Sequence, residues 1–249
     1  MSIMWISSAV AQTVSVAIAE WPPYAVKSLE DGGKYTKRVI DSLKSAGFKA
    51  HLVWHDNWLT AYNRTQVAKD DASIFWVCNP ERADHFYYSN PFQVIQTVMF
   101  HLKSNNYQWN NLSDLKGRGP FGITTAYYYG DNFSEAAKKY NFNLREVRRE
   151  SLVFNLLIYG RVNYVPTDIL NGLELIERHV PKESQSYITY NPKPIEVGYL
   201  HLIIAKSHPQ AKIILNGINK AIALLDDKYA KQLALKSLKD SCPTIEQAL

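Results

Sequence analysis

"PFQVIQTVMFHLK", residues 91–103, is an apolar, β-branched run that exceeds the usual strand of about five or six residues. It runs directly into the polar stretch "SNNYQWNNLSD", residues 104–114. The run therefore reads as a segment that leaves one folding unit and enters another. "VGYLHLIIAK", residues 197–206, is a second long apolar strand of the same kind, and reads as the return crossing.

Around these two crossings, helix and strand patterns alternate. "TVSVAIA" (13–19) has the period-two pattern of a strand, and "EWPPYAVKSLEDGG" (20–33) is a loop whose two prolines enforce extended backbone. Tyr35, Val39 and Leu43 recur at four-residue spacing over 34–46, an amphipathic helix that Gly47 ends. A strand at "AHLVW" (50–54), a helix near 57–66 and a strand at "ASIFWV" (72–77) follow. Beyond the first crossing the spacing predicts a strand at "FGITT" (121–125), a helix over 131–140 and a strand near "LREVRR" (144–149). A helix over 151–159, a strand at "VNYV" (162–165) and a helix over 168–179 complete that half. After the return crossing, Ile214, Ile218, Ile222 and Leu225 mark one face of a further helical region.

Alternation of this kind defines an α/β chain with mainly parallel strands flanked by helices. Two such units joined by two long strands make the first lobe discontinuous: residues 12–97 with 203–249 form lobe 1 and residues 98–202 form lobe 2, with 1–11 as a signal-peptide remnant. The interlobe cleft is then the default ligand site, since ligands favour domain interfaces and the ends of parallel strands.

The bulk composition narrows the function classes. With 46% hydrophobic and 20% charged residues the chain has the makeup of a globular protein with a sizeable core. A net charge of +5 comes from scattered lysines and arginines without a basic run, so no nucleic-acid partner is indicated. "MWISSAVAQ" (4–12) places Ala9-Val10-Ala11 before Gln12 after a short apolar stretch, the small-x-small pattern of a signal-peptide cleavage site. Cys78 and Cys242 can pair in an oxidising compartment, and a lone buried Cys78 is the other reading. The histidines show no ligand spacing, so neither a metal nor another cofactor is expected. "GRGPFG" (117–122) fits a dinucleotide-binding pattern in letters alone, because it enters a strand rather than following one. It reads as a turn.

"EWPPY" (20–24), "NPERADHFYYSNPF" (79–92), "NLSDLKGRGPFGITT" (111–125), "YGRVNYVPTD" (159–168) and "LHLIIAKSHP" (200–209) follow one another in an order that resembles the periplasmic solute-binding proteins of family 3. These are the amino-acid ABC-transporter substrate-binding type, with type II topology. The resemblance covers nearly the whole chain beyond Ala11, and implies a two-lobe fold with two hinge strands. By this resemblance Arg82 grips a ligand α-carboxylate, for which a guanidinium fork is well shaped. Asp168 falls on the acidic residue that meets the ligand ammonium group, and also stands where a helix N-cap would. Trp21 and Trp58 fall at positions that face the ligand with apolar or aromatic side chains. Tyr127 and Tyr128 fall near the ligand carboxylate, at a strand end leading to a helix N-terminus whose backbone N–H groups can meet an anion. Tyr24 is expected to pack beneath the loop.

The chain departs from the family pattern at several places. Phe75 and Val77 replace small hydroxyl residues of the pocket wall, Ala126 replaces a glycine, Asn79 a threonine, and Asn163 the aspartate of a G-R-x-D motif. The loss at Asn163 is expected to touch packing rather than ligand. The implied pocket is more aromatic and less hydroxylated than usual, which suits a small or flat amino-acid-like ligand. The implied function is capture of such a ligand in the periplasm of a Gram-negative bacterium, by a secreted monomer that delivers it to an ABC permease without covalent chemistry. Two other classes share the fold: a cyclohexadienyl or arogenate dehydratase, for which Glu20 is the acidic residue near the cleft mouth, and a ligand-sensing module of a receptor.

Overall fold

The computed structural model describes residues 11–105 and 107–224. In chain order the elements are β1 (Thr13–Ala19), α1 (Lys34–Ser45), β2 (Lys49–His55), α2 (Trp58–Gln66), β3 (Ala72–Val77), α3 (Pro80–His85), β4 (Phe86–Tyr88) and β5 (Gln93–Leu102). They continue with β6 (Phe121–Thr124), α4 (Asp131–Lys139), β7 (Leu144–Val147), α5 (Val153–Ile158), β8 (Val165–Asp168), α6 (Ile169–His179), α7 (Lys182–Gln185), β9 (Ile188–Ala205) and α8 (Ala211–Leu224). No helix among the described residues is long and apolar enough to cross a membrane. The signal-peptide segment, Leu225, and the Cys78–Cys242 pairing, which depends on Cys242, lie outside the described residues.

Local chemistry accounts for the element ends. Asn57 caps α2 by accepting from Thr60 N at 2.9 Å, and Asp168 caps α6 by accepting from Asn171 N at 3.1 Å, each satisfying a first-turn N–H that the helix itself leaves open. α1 buries Val39, Ile40 and Leu43 on one face and gives way to Gly47 at φ 87, a left-handed conformation that glycine adopts without steric penalty.

The pairing separates two kinds of strand. β1 pairs with β2 and with β3 in parallel, and β6 pairs with β7 in parallel. Every antiparallel pair involves β5 or β9. These two long strands run against each other from Gln93↔Leu200 at one end to Leu102↔Ile188 at the other, and they are the expected crossings. β9 is longer than the sequence pattern indicated. Its register against β5 shifts between Thr97↔Glu196 and Met99↔Asn191, where β9 carries Pro192 and Pro194. Proline has no N–H for the ladder, so pairing breaks there and resumes beyond.

One correction concerns β8. The strand runs Val165–Asp168 rather than 162–165: just before it Tyr164 bridges Phe121 and Asn163 N donates to Pro120 O at 2.7 Å, while Asn163 Nδ2 donates to the carbonyls of Arg118 and Gly119, at 2.8 Å each. Pro166 is accommodated because β8 lies at the end of the strand order. Residues 117–120 form the turn that enters β6, and Asn163 is the group that fastens it.

Three hydrophobic clusters organise the interior. The first draws on residues from Val14 to Ile95 and from Leu200 to Ile222, with Ile18, Leu43, Ile74, Phe86, Leu202 and Ile218 fully enclosed. The second and third draw on residues between Val98 and Ile195, around Phe100 and Leu157 in one and Leu115 and Phe121 in the other. β5 and β9 pass between these bodies, and the candidate site lies where they do.

Candidate functional site

Arg82 is placed by a short helix that its own sequence dictates. Pro80 at the start of α3 supplies a preset φ, and Asn79 caps the turn by accepting from Arg82 N at 2.8 Å. The side chain folds back and is only 9% exposed. Its Nη1 donates to Val77 O at 2.9 Å and its Nη2 to Ala126 O at 2.8 Å, while Cζ stands 4.9 Å from the centre of the Trp76 ring. Arg82 thus bridges the end of β3 to the loop after β6. Among the described residues no carboxylate stands within ion-pair distance of it. Burial pulls its pKa below the usual guanidinium value, with the nearby Tyr88 and Tyr62 opposing that shift.

The two backbone positions flanking Arg82 are unusual. Phe75 has φ 69 and Ala126 has φ 67, both in the left-handed region that non-glycine residues seldom occupy. At Phe75 the strand bulges between its pairings Ser73↔Ile203 and Trp76↔His201, which turns a large aromatic into the cleft. At Ala126 the left-handed turn aims the carbonyl at Arg82. A glycine would sit there without the strain that the methyl group adds.

Asp168 is 5% exposed and already busy. Oδ1 accepts from Tyr24 Oη at 2.8 Å and from Asn171 N at 3.1 Å, and Oδ2 accepts from Gln96 N at 3.0 Å. Burial raises its pKa, and these hydrogen bonds pull in the opposite direction. Tyr24 does pack beneath the loop, with its ring 4.5 Å from Trp21 and 5.0 Å from Tyr35, and its hydroxyl adds a polar tie to Asp168. The helix N-cap role of Asp168 is therefore realised.

Trp21, Trp58, Val77, Arg82, Tyr127, Tyr128 and Asp168 all line one cavity. Phe75, Ile95 and Leu200 give it an apolar wall, and Thr97 and Thr167 supply hydroxyls that the sequence pattern did not single out. Trp21 Nε1 is buried without a hydrogen-bond partner among the described residues. The cavity offers about 60 Å³ to the centres of water-sized groups. At roughly 10–15 Å³ per water centre, that is room for only a handful of heavy atoms. The expected helix N-terminus is arranged differently: α4 begins at Asp131 behind Gly130, and the space beside Gly130 is taken by the Glu196 carboxylate, which a β-carbon there would strike.

Glu150 is a functional candidate that sequence reading missed. Its Oε2 accepts from Tyr127 Oη at 2.9 Å, and its Oε1 accepts from Asn171 Nδ2 at 2.6 Å and Thr167 Oγ1 at 3.2 Å. Burial pushes its pKa up to about 7 against those three hydrogen bonds, and the neighbouring Asp168 pushes the same way. In sequence it is an unremarkable acidic residue opening a helical turn, and no local signal tells it from a solvated one. Since the folded state holds this proton from the ordinary value of 4.5 up to about 7 while the unfolded chain releases it, stability falls as pH rises through that window. The loss is at most about 3 kcal/mol. Glu150→Gln keeps an acceptor and a donor in place and is expected to flatten the decline; melting temperatures of both proteins from pH 4.5 to 7.5 check this, and parallel curves would rule it out. Glu20, 50% exposed at its side chain and 3.7 Å from Arg178, does not line this cavity but a larger one beside it.

No protein-family model matches the chain, and no curated protein matches it in sequence. Solved structures do match it. A histidine kinase sensor domain with similarity to periplasmic binding proteins aligns over 92% of this chain and 96% of its own, at TM-score 0.69 and 14% identity. The substrate-binding protein of an amino acid ABC transporter aligns over 92% and 100%, at 0.68 and 18%. An ancestral arginine-binding protein bound to arginine aligns over 90% and 97%, at 0.68 and 22%. The chain has the α/β, two-lobe, periplasmic-binding-protein-like type II fold.

Proposed function

We propose that the chain is a solute-binding protein that closes its two lobes, residues 12–97 with 203–249 and residues 98–202, on a small amino-acid-like carboxylate. The observation that carries this reading is Arg82: a buried guanidinium at a cavity wall, its charge unmatched by any described carboxylate. Burying an unpaired charge is expensive. An anionic group entering the cavity supplies the missing partner through a charge-assisted pair. Asp168, with three acceptor positions already used, is the acidic group that faces an ammonium group, and Trp21, Trp58, Val77, Tyr127 and Tyr128 supply the enclosing surface. The protein then works in the periplasm, as a monomer, and hands its ligand to an ABC permease.

A thermal-shift survey over amino acids and related carboxylates tests the reading. A ligand at about 100 times its Kd adds roughly 2.7 kcal/mol, a rise of about 5–10 °C at the 2–4 °C per kcal/mol typical of this size. If no carboxylate or zwitterion moves the transition, the reading fails. A sensory role has the likeness to the kinase sensor domain in its favour. Transport is separated from sensing by whether loss of the protein abolishes ligand uptake or only a response to the ligand.

A further inference from the structure

A second, larger cavity adjoins the first. It offers about 580 Å³ to water-sized groups against about 60 Å³ for the inner one. Its lobe 1 side carries Glu20 and Asp56, and its lobe 2 side carries Arg148, Arg149 and Arg178. Among the described residues only Trp58 and Tyr127 line both cavities, so these two residues stand between them. Trp58 is fixed from the N-terminal end of α2 and is 8% exposed. Tyr127 comes from the opposite lobe and packs against both the first and the third hydrophobic clusters. Its hydroxyl donates to Glu150 Oε2, and Asn171 and Thr167 hold the other oxygen of that carboxyl. The tyrosine is therefore clamped at its tip as well as at its ring.

Building on the proposed function, we propose that Tyr127, held by Glu150, sets the length of ligand that the protein accepts. With the partition in place, the inner cavity accepts a short α-amino acid of the glycine, alanine or serine class, close in size to the roughly four to six water-sized groups its volume holds. A longer side chain would have to pass through the Tyr127 ring. Taking that ring away joins the inner cavity to the outer one, whose ionisable walls suit the polar end of a long amino acid such as glutamine or arginine. Specificity here is a difference of affinities imposed by an obstruction rather than by an added contact.

The test is calorimetric or thermal-shift titration of glycine, alanine, serine, glutamine and arginine against the wild type, Tyr127→Leu and Tyr127→Ala. The wild type is expected to prefer the short amino acids by at least about tenfold. Tyr127→Ala is expected to shift that ratio toward glutamine or arginine by about tenfold or more, with Tyr127→Leu between the two. Wild-type binding of the long amino acids as tight as that of the short ones overturns the proposal without needing any variant to fold. An unchanged ratio in both variants also overturns it. A wild type that binds glutamine or arginine tightly leaves the solute-binding reading standing, whereas a wild type that responds to no carboxylate at all removes both.

Discussion

In Arg82→Ala the ligand-induced rise in melting temperature disappears, while the unliganded protein keeps a cooperative transition. Truncating one partner of a buried, hydrogen-bonded charge pair weakens binding by about 2–5 kcal/mol, roughly 30-fold to several thousand-fold in Kd. The unliganded protein is expected to lose far less. Its guanidinium sits over Trp76 and is satisfied by only two backbone carbonyls, and the desolvation that pulls its pKa down is a burden on the folded state that the alanine removes. Arg82→Met, which keeps the packing stem and drops the charge, separates the two contributions. A ligand shift that survives in both variants would sink the assignment of Arg82.

Asp168→Ala is expected to damage the fold itself. The substitution removes the α6 cap, worth about 0.5–2 kcal/mol. It also removes the carboxylate that accepts from Tyr24 Oη at 2.8 Å and from Gln96 N at 3.0 Å, at about 0.5–1.5 kcal/mol for each hydrogen bond lost. A combined loss of about 1.5–5 kcal/mol lowers the melting temperature by roughly 3–20 °C at this chain length. Measured without ligand, an unchanged melting temperature would show that Asp168 is not the structural tie described above. Asp168→Asn, which can still accept from part of the network, is expected to fall between.

How far local patterns reach is clear from particular elements. The helix at Lys34–Ser45 follows from periodicity because it places its apolar residues on one face within a few turns, and the strand at Thr13–Ala19 follows from the alternation of Val14, Val16 and Ile18, although its later residues are buried on both faces. The turn at residues 117–120, read against a misleading glycine pattern, follows from its position before β6 rather than after a strand. β8 does not follow. Its residues include a proline, and the residues just before it, Asn163 and Tyr164, pair with a segment more than forty positions earlier, a contact that no local pattern carries. The extra length of β9 was hidden in the same way, since Pro192 and Pro194 look like a strand end and act as a break within one.

The candidate site divides along the same line. Arg82, Asp168 and the aromatic residues stood out in sequence because their residue types and order resemble a known pattern, and the structure places them around one cavity. Glu150, Thr97 and Thr167 did not stand out, since a carboxylate or hydroxyl acquires its meaning from which groups surround it. By itself the sequence determined the alternation of strands and helices, the two long crossings and the residue types available to meet an amino-acid-like solute. Only the tertiary structure decided that Arg82 is buried with no carboxylate among the described residues beside it, that Phe75 and Ala126 take left-handed backbone, and that Trp58 and Tyr127 stand between two cavities. Periodicity reports which face of an element meets apolar surroundings. Burial of charge, strain and cavity shape arise from contacts between segments far apart in the chain, and no local pattern encodes them.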